Sequence, residues 1–203
     1  MNINYSDKLA RIVSTLFVPP TFTILIFTYF AFHFENNLFQ RLVTIFTAFV
    51  FGFTLQIILF LTLRKMGKIV DIDATIKEER TVPFLISIIF YIIGMIILLI
   101  NHVNLISSAF WFCYISNTLF VVLINKKWKI SAHATGAAGP MAAIFFVLGA
   151  NGLWFLVLFL IIGWARIKLR CHNFLQVIAG GILGFASTYI QISLIVLWQS
   201  YAR

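Results

Sequence analysis

The chain reads as an all-α protein, a polytopic transmembrane helical bundle of about six to seven spans. Three observations predict this. The 203 residues are 62% hydrophobic and 10% charged, against about 25% charged in a soluble domain. The apolar residues form long runs, near the ~20 residues that a bilayer-crossing helix needs. The polar residues collect in short clusters between those runs. No linker, repeat or low-complexity tract divides the sequence, so residues 1–203 are expected to form a single integral membrane domain.

The hydropathy pattern places helices at 12–33, 41–63, 83–101, 105–124, 134–150, 153–168 and 174–198. Lys8 and Arg11 precede the first run, as in a signal peptide. No small-residue cleavage site follows, and Pro19 and Pro20 lie inside the run, so an uncleaved first helix is expected. Pro83 suits the first turn of the third helix, where a missing N–H costs nothing. The sixth segment is short and fits a tilted or partly submerged helix.

Asn36–Asn37, Asn101–Asn104 and Asn151–Gly152 punctuate one side of the bilayer. The other side receives the N-terminus and the stretches 64–82, 125–133 and 166–173. Of the 15 Lys and Arg residues, 13 fall on that second side, leaving Arg41 and Arg203 on the first. The positive-inside rule makes the cation-rich side cytoplasmic, in an inner or plasma membrane. Cys113 lies in an apolar run. Cys171 adjoins His172 without a CxxC or a second ligand pair, so no metal site is expected.

The charge distribution bears on function. No Asp or Glu follows Glu79, yet Lys126, Lys127, Lys129, Arg166, Lys168, Arg170, His133 and His172 do. Cations and histidines without carboxylates to neutralise them suit an anion. The cluster from Asp71 to Pro83 holds Lys77 and Arg80, three apart and on one face if helical; it also reads as an ordinary solvated loop. In the second cluster, Ser131-Ala132-His133 precedes a helix start, where unpaired backbone N–H groups favour an anion. Ser131 can add a hydroxyl donor and His133 a proton for a departing oxygen; a plain helix cap is the simpler role for Ser131. The third cluster, Arg166 to Gln176, sets three cations and His172 at a membrane boundary, where ionisable groups are functional by default. A basic cuff against lipid headgroups is its alternative. His33 and His102 lie on the opposite side and read as interfacial.

Together the three clusters resemble the type 2 phosphatidic acid phosphatase family, which includes the vanadium haloperoxidases. That family carries Lys-x6-Arg-Pro, then Pro-Ser-Gly-His, then Ser-Arg-x5-His-x3-Asp. Ser131-Ala132-His133 keeps the second spacing, with Ile130 for Pro and Ala132 for Gly. Arg166 and His172 keep the Arg-x5-His spacing, with Ala165 for Ser. Gly180 and Gly181 lie in a segment similar to the family's next helix. The first motif is looser: Arg80 precedes Thr81-Val82-Pro83, and Lys77 lies three residues before Arg80. The resemblance covers about residues 70–185 and implies a phosphatase-like core there.

It also implies roles. His172 attacks phosphorus and forms a phospho-histidine, and His133 protonates the leaving alkoxide. Lys77, Arg80, Arg166 and Ser131 hold the phosphoryl oxygens, without metal or other cofactor. Phosphoryl transfer rests on positioning and positive charge around the equatorial oxygens, which agrees. The family's Asp four residues after the histidine is Gln176 here. Gln176 can orient the ring one helical turn away but supplies no charge; an analogous Asp-to-Asn change in a serine-protease triad costs ~10⁴ in rate. The expected function is an integral membrane phosphatase acting on a lipid phosphate or an isoprenoid (di)phosphate. The partners are that substrate and the bilayer, with no nucleic acid; oligomeric state has no signal.

Three alternatives remain open: metal-free ionisation of an allylic diphosphate, a lipid-phosphate binder that has lost turnover, and a Mg²⁺-dependent prenyltransferase. The last would use Asp71 and Asp73, but the sequence offers no second acidic motif.

Overall fold

The computed structural model describes residues 5–202 and is helical throughout, with no strand among the described residues. Helix α1 (Tyr5–Leu16) leads into α2 (Pro19–Phe34). Then α3 (Leu38–Thr47) runs through a π-helical stretch, Ala48–Thr54, into α4 (Leu55–Lys65). A loop and a 3-10 turn (Glu78–Arg80) precede α5 (Thr81–Ile100) and α6 (Leu105–Lys127). Next come α7 (Ala132–Leu148), a 3-10 connection (Gly149–Trp154), α8 (Phe155–Lys168) and α9 (Phe174–Tyr201). Five helical stretches are long and apolar enough to cross a membrane, and a sixth is added if α1 and α2 form one span. The bundle's outside is apolar, with Phe46, Ile89, Leu160 and Leu194 all more than half exposed. Such a surface suits lipid and not water.

One of the expected helices is drawn differently. The run 12–33 is not one helix: α1 and α2 meet at a 54° bend. Val18 sits at φ −71°, ψ 152°, the extended geometry imposed on a residue before proline. Pro19 and Pro20 then start α2, where their missing N–H groups leave no bond unmade. Residues 12–16 therefore belong to an amphipathic α1, on the other side of that bend from α2. The segments 134–150 and 153–168 correspond to α7 and α8, which form a tight hairpin. Gly149 breaks α7 at φ +58°, a left-handed value that glycine adopts freely. These helices have 17 and 14 residues. At 1.5 Å per residue they are about 26 and 21 Å long, shorter than the ~30 Å hydrocarbon core.

The hairpin brings the polar ends of three helices together. The Ser131 N–H donates to the Gln176 carbonyl at 3.2 Å, and the His172 N–H donates to the Arg166 carbonyl at 3.3 Å. The end of α8 and the starts of α7 and α9 thus share one end of the bundle. His33 and His102 lie at the other end, where Gln40 Nε2 donates to the His102 carbonyl at 2.8 Å and Tyr29 stacks on His33.

Helices α7 and α9 form the closest pair in the bundle. A Cβ on Gly180 would lie 2.6 Å from the Ser131 carbonyl oxygen, and one on Gly184 would collide with the Thr135 carbonyl oxygen. Small residues allow this backbone approach. One apolar cluster around Phe27, Phe110 and Trp111 fills the far half of the bundle. A second joins Ala10 and Val13 of α1 to Ala134, Ile162 and Val177, so α1 is docked on the hairpin that carries the polar cluster. Gly184→Ala is expected to destabilise the fold by about 1–3 kcal/mol through overpacking. Thermal unfolding in detergent checks this, and an unchanged midpoint would contradict the packing described.

Candidate functional site

The C-terminal turn of α8 sets the geometry. Arg170 takes a left-handed conformation, φ +55°. The Cys171 N–H reaches back to the Arg166 carbonyl at 3.1 Å. Back-bonding of this kind closes a helix and reverses the chain. It is the local reason that Arg166 and His172, six residues apart, meet at one end of the bundle.

Asn173 then opens α9 with a capping box. Its side chain accepts from the Gln176 N–H at 2.9 Å, and Gln176 Oε1 accepts from the Asn173 N–H at 3.2 Å. The same Oε1 lies 3.0 Å from His172 Nδ1. Since the Asn173 N–H can only donate, the amide oxygen must face it, and that oxygen also accepts from Nδ1–H. The tautomer follows: Nδ1 carries the proton and Nε2 keeps its lone pair.

Arg166 is fully buried. Its Nη1 donates to Ser14 Oγ at 2.6 Å and to Asp73 Oδ1 at 2.5 Å. Its Nε and Nη2 have no partner. Unpaired buried guanidinium donors are costly, and an oxyanion would satisfy them; Arg166 itself is not among the residues that line the neighbouring cavity at His172. Asp73 is shared: its other oxygen accepts from Arg11 Nη1 at 2.5 Å. The loop that presents it is organised by Asp71, whose carboxylate accepts from the N–H groups of Asp73 and Thr75 and from the Thr75 hydroxyl. Burial raises the Asp73 carboxyl, but its bonds to Arg11 and Arg166 outweigh this and hold it below the ordinary value.

The other expected residues divide. Arg80 is buried; its Nε donates to the Ala74 carbonyl at 2.5 Å and its Nη1 to the Ile130 carbonyl at 3.2 Å. His133 stands in the first turn of α7 with its Nε2 buried and unpartnered. Arg80, His133, His172 and Asp73 all line one cavity of about 260 Å³. Ser131 is the N-cap of α7: its Oγ accepts from the Ala134 N–H at 3.3 Å. It therefore acts as a buried cap and is not among the residues lining the cavity.

Lys77 points elsewhere. Its ammonium reaches the carbonyls of Lys126 and Lys127 at 3.4 Å and Glu78 at 3.7 Å. It closes the C-terminal end of α6, where a cation is favourable, and stands outside the cavity lining. Among the described residues no group of three His, Cys, Asp or Glu side chains is arranged to hold a metal ion.

Three participants escaped the sequence reading: Asp73 as partner of Arg166, and Ser14 and Arg11 from α1. The signal for α1 was present in its apolar–polar periodicity. Asp73 was visible only as one of the few acids in the loop 64–82.

His172 is 6% exposed. Burial, then the charges of Arg80 and Arg166, push its imidazole down to about 3. It is neutral at neutral pH, the state a nucleophilic nitrogen requires. No family model, curated protein or solved structure matches this chain.

The depressed His172 value has a stability consequence. The unfolded chain takes up this proton near pH 6.5 and the folded protein near 3, so between those values the unfolded state binds more protons. Stability is full above about pH 6.5 and falls with pH toward 3. Asp73 acts in the same direction only below its ordinary value of 3.8. From pH 6.5 to 4.5 the loss attributable to His172 is expected to be about 2–3 kcal/mol. Unfolding midpoints in detergent across this range should drop for the native protein and drop less for His172→Gln. Parallel curves would contradict the assigned shift.

Proposed function

We propose that the protein is a membrane phosphatase-like enzyme that transfers the phosphoryl group of a lipid phosphate or isoprenoid (di)phosphate to His172, then to water. The observation that carries this reading is Arg166, a fully buried guanidinium with two unpartnered nitrogens next to His172. A phosphoryl group matches that fork geometry, as a carboxylate also does. The likeness of Ser131-x-His133 and Arg166-x5-His172 to the type 2 phosphatidic acid phosphatase pattern supports the same chemistry.

In this reading His172 Nε2 attacks phosphorus while its Nδ1–H is held by Gln176. The bond from phosphorus to the ester oxygen breaks, and His133 gives the departing alkoxide a proton. Arg166 and Arg80 stabilise the equatorial oxygens. Water then attacks the phospho-histidine, loses a proton to His133, and phosphate leaves. Ala132 and His133 at the start of α7 line the same cavity, and the N–H groups of a helix start favour an anion there. The positive-inside count supports a cytoplasmic site, in an inner or plasma membrane.

Gln176 favours a second reading. A neutral amide stabilises an imidazolium less than a carboxylate does, so a site that binds a lipid phosphate with slow or no turnover fits the same residues. Ionisation of an allylic diphosphate, with the histidines managing protons, is the related enzymatic variant.

Purified protein with a series of lipid phosphates and isoprenoid diphosphates, in the presence of chelator, discriminates these readings. Inorganic phosphate release is expected to fall a hundredfold or more in His172→Ala and to rise about tenfold or more in Gln176→Asp. Equal release by native protein and His172→Ala would remove the phospho-histidine route. Binding without release, with no gain in Gln176→Asp, would favour the binder.

A further inference from the structure

The cavity that begins at His133, His172 and Arg80 does not stop there. It continues between α4, α5, α6 and α7 as an apolar channel. One stripe of α6 walls it at helical spacing: Phe110, Cys113, Tyr114, Asn117 and Val121. On α5 the wall runs from Pro83 near the polar end to Tyr91. Eight residues separate those two, which is about 12 Å of helix.

The channel ends on an aromatic floor. Tyr91 and Tyr114 have ring centroids 5.4 Å apart, and Phe110 and Tyr114 5.2 Å. Phe27 stacks behind Phe110 at 5.3 Å, and Trp111 Nε1 ties the cluster to the Tyr91 carbonyl at 2.7 Å. Rings packed on three sides do not yield easily.

We infer that this channel takes one hydrocarbon chain of the substrate and that the floor at Tyr91, Phe110 and Tyr114 limits its length. The inference rests on the phosphate site proposed above and names its substrate class: a phosphate or diphosphate ester of a single alkyl or prenyl chain, with about ten chain carbons. A 12 Å path holds about ten carbons, since an extended chain advances ~1.2 Å per bond, a third of a residue's reach. A two-chain glycerolipid does not fit. Both ends are of one piece, because Arg80, His133 and His172 of the head site and the apolar channel line the same cavity.

A chain that leaves lipid for this channel gains little from hydrophobicity, so the limit appears as a loss beyond the floor and not as a steady gain below it. The test uses unhydrolysable phosphonates in nanodiscs at fixed mole fraction: n-alkyl chains of four to eighteen carbons, geranyl and farnesyl phosphonates, and a two-chain analogue of phosphatidic acid. Binding should be nearly level to about ten carbons and fall at least tenfold by sixteen. The two-chain analogue should bind no better than inorganic phosphate. A geranyl-over-decyl preference assigns the channel to prenyl chains, and parity assigns it to single chains of either kind.

Tyr114→Ala should move the fall to longer chains, and Thr118→Phe, which fills the channel above the floor, to shorter ones. Orthovanadate binding serves as the check that each variant is folded at the head site. Level binding at every length, or a fall that neither variant moves while orthovanadate still binds, overturns the length limit alone. Loss of orthovanadate and every phosphonate in the native protein overturns the phosphate site as well.

Discussion

The guanidinium of Arg166 is the constraint on which the polar end of this bundle depends. A charge that reaches no solvent must be held by fixed dipoles and counter-charge, or the fold loses several kcal/mol. Three separate stretches provide for it. Ser14 comes from α1, Asp73 from the loop before α5, and the end of α8 supplies the residue itself. Docking α1 is therefore part of building the site. The 54° bend at Val18 is what lets α1 leave the line of α2 and lie against α8. Asp7 and Lys168, 3.3 Å apart, hold the same two helices together nearer the surface.

The charge balance follows. Arg11, Arg80 and Arg166 surround a site whose paired carboxylate is Asp73, and the histidine that faces them is oriented by an amide. The arrangement keeps His172 neutral and leaves two donors of Arg166 open. Asp73, from the loop before α5, occupies one nitrogen of the fork, which in the proposed chemistry leaves Nε and Nη2 for a phosphoryl oxygen. In the proposed chemistry the negative charge that would normally sit behind the histidine lies beside the arginine instead. That placement favours binding a doubly charged group strongly and stabilising a phospho-imidazolium weakly.

Much of this was legible in the sequence. Apolar runs mark the helices because only helices satisfy their own backbone groups in lipid. The spacing from Arg166 to His172 works because a left-handed Arg170 turns the chain within that interval, and four residues from His172 to Gln176 span one helical turn. Other features depended on tertiary placement. Nothing local distinguishes Lys77, which closes α6, from Arg80, which lines the cavity. The partner of Asp73 is 93 residues away, and no spacing rule carries that distance. Pro19 and Pro20 were visible but read as interruptions of one helix, whereas the extended Val18 makes them the start of another. Asn151–Gly152 marked the reversal between α7 and α8, but nothing local showed that it begins at Gly149.

The most direct test of the central claim is an experimental structure with orthovanadate, a mimic of the pentacoordinate phosphoryl transition state. The account predicts vanadium bonded to His172 Nε2, its equatorial oxygens on Nε and Nη2 of Arg166 and on Arg80, and Gln176 Oε1 still on Nδ1. Vanadate bound elsewhere, or a site in which Arg166 and His172 face different leaflets, would contradict it.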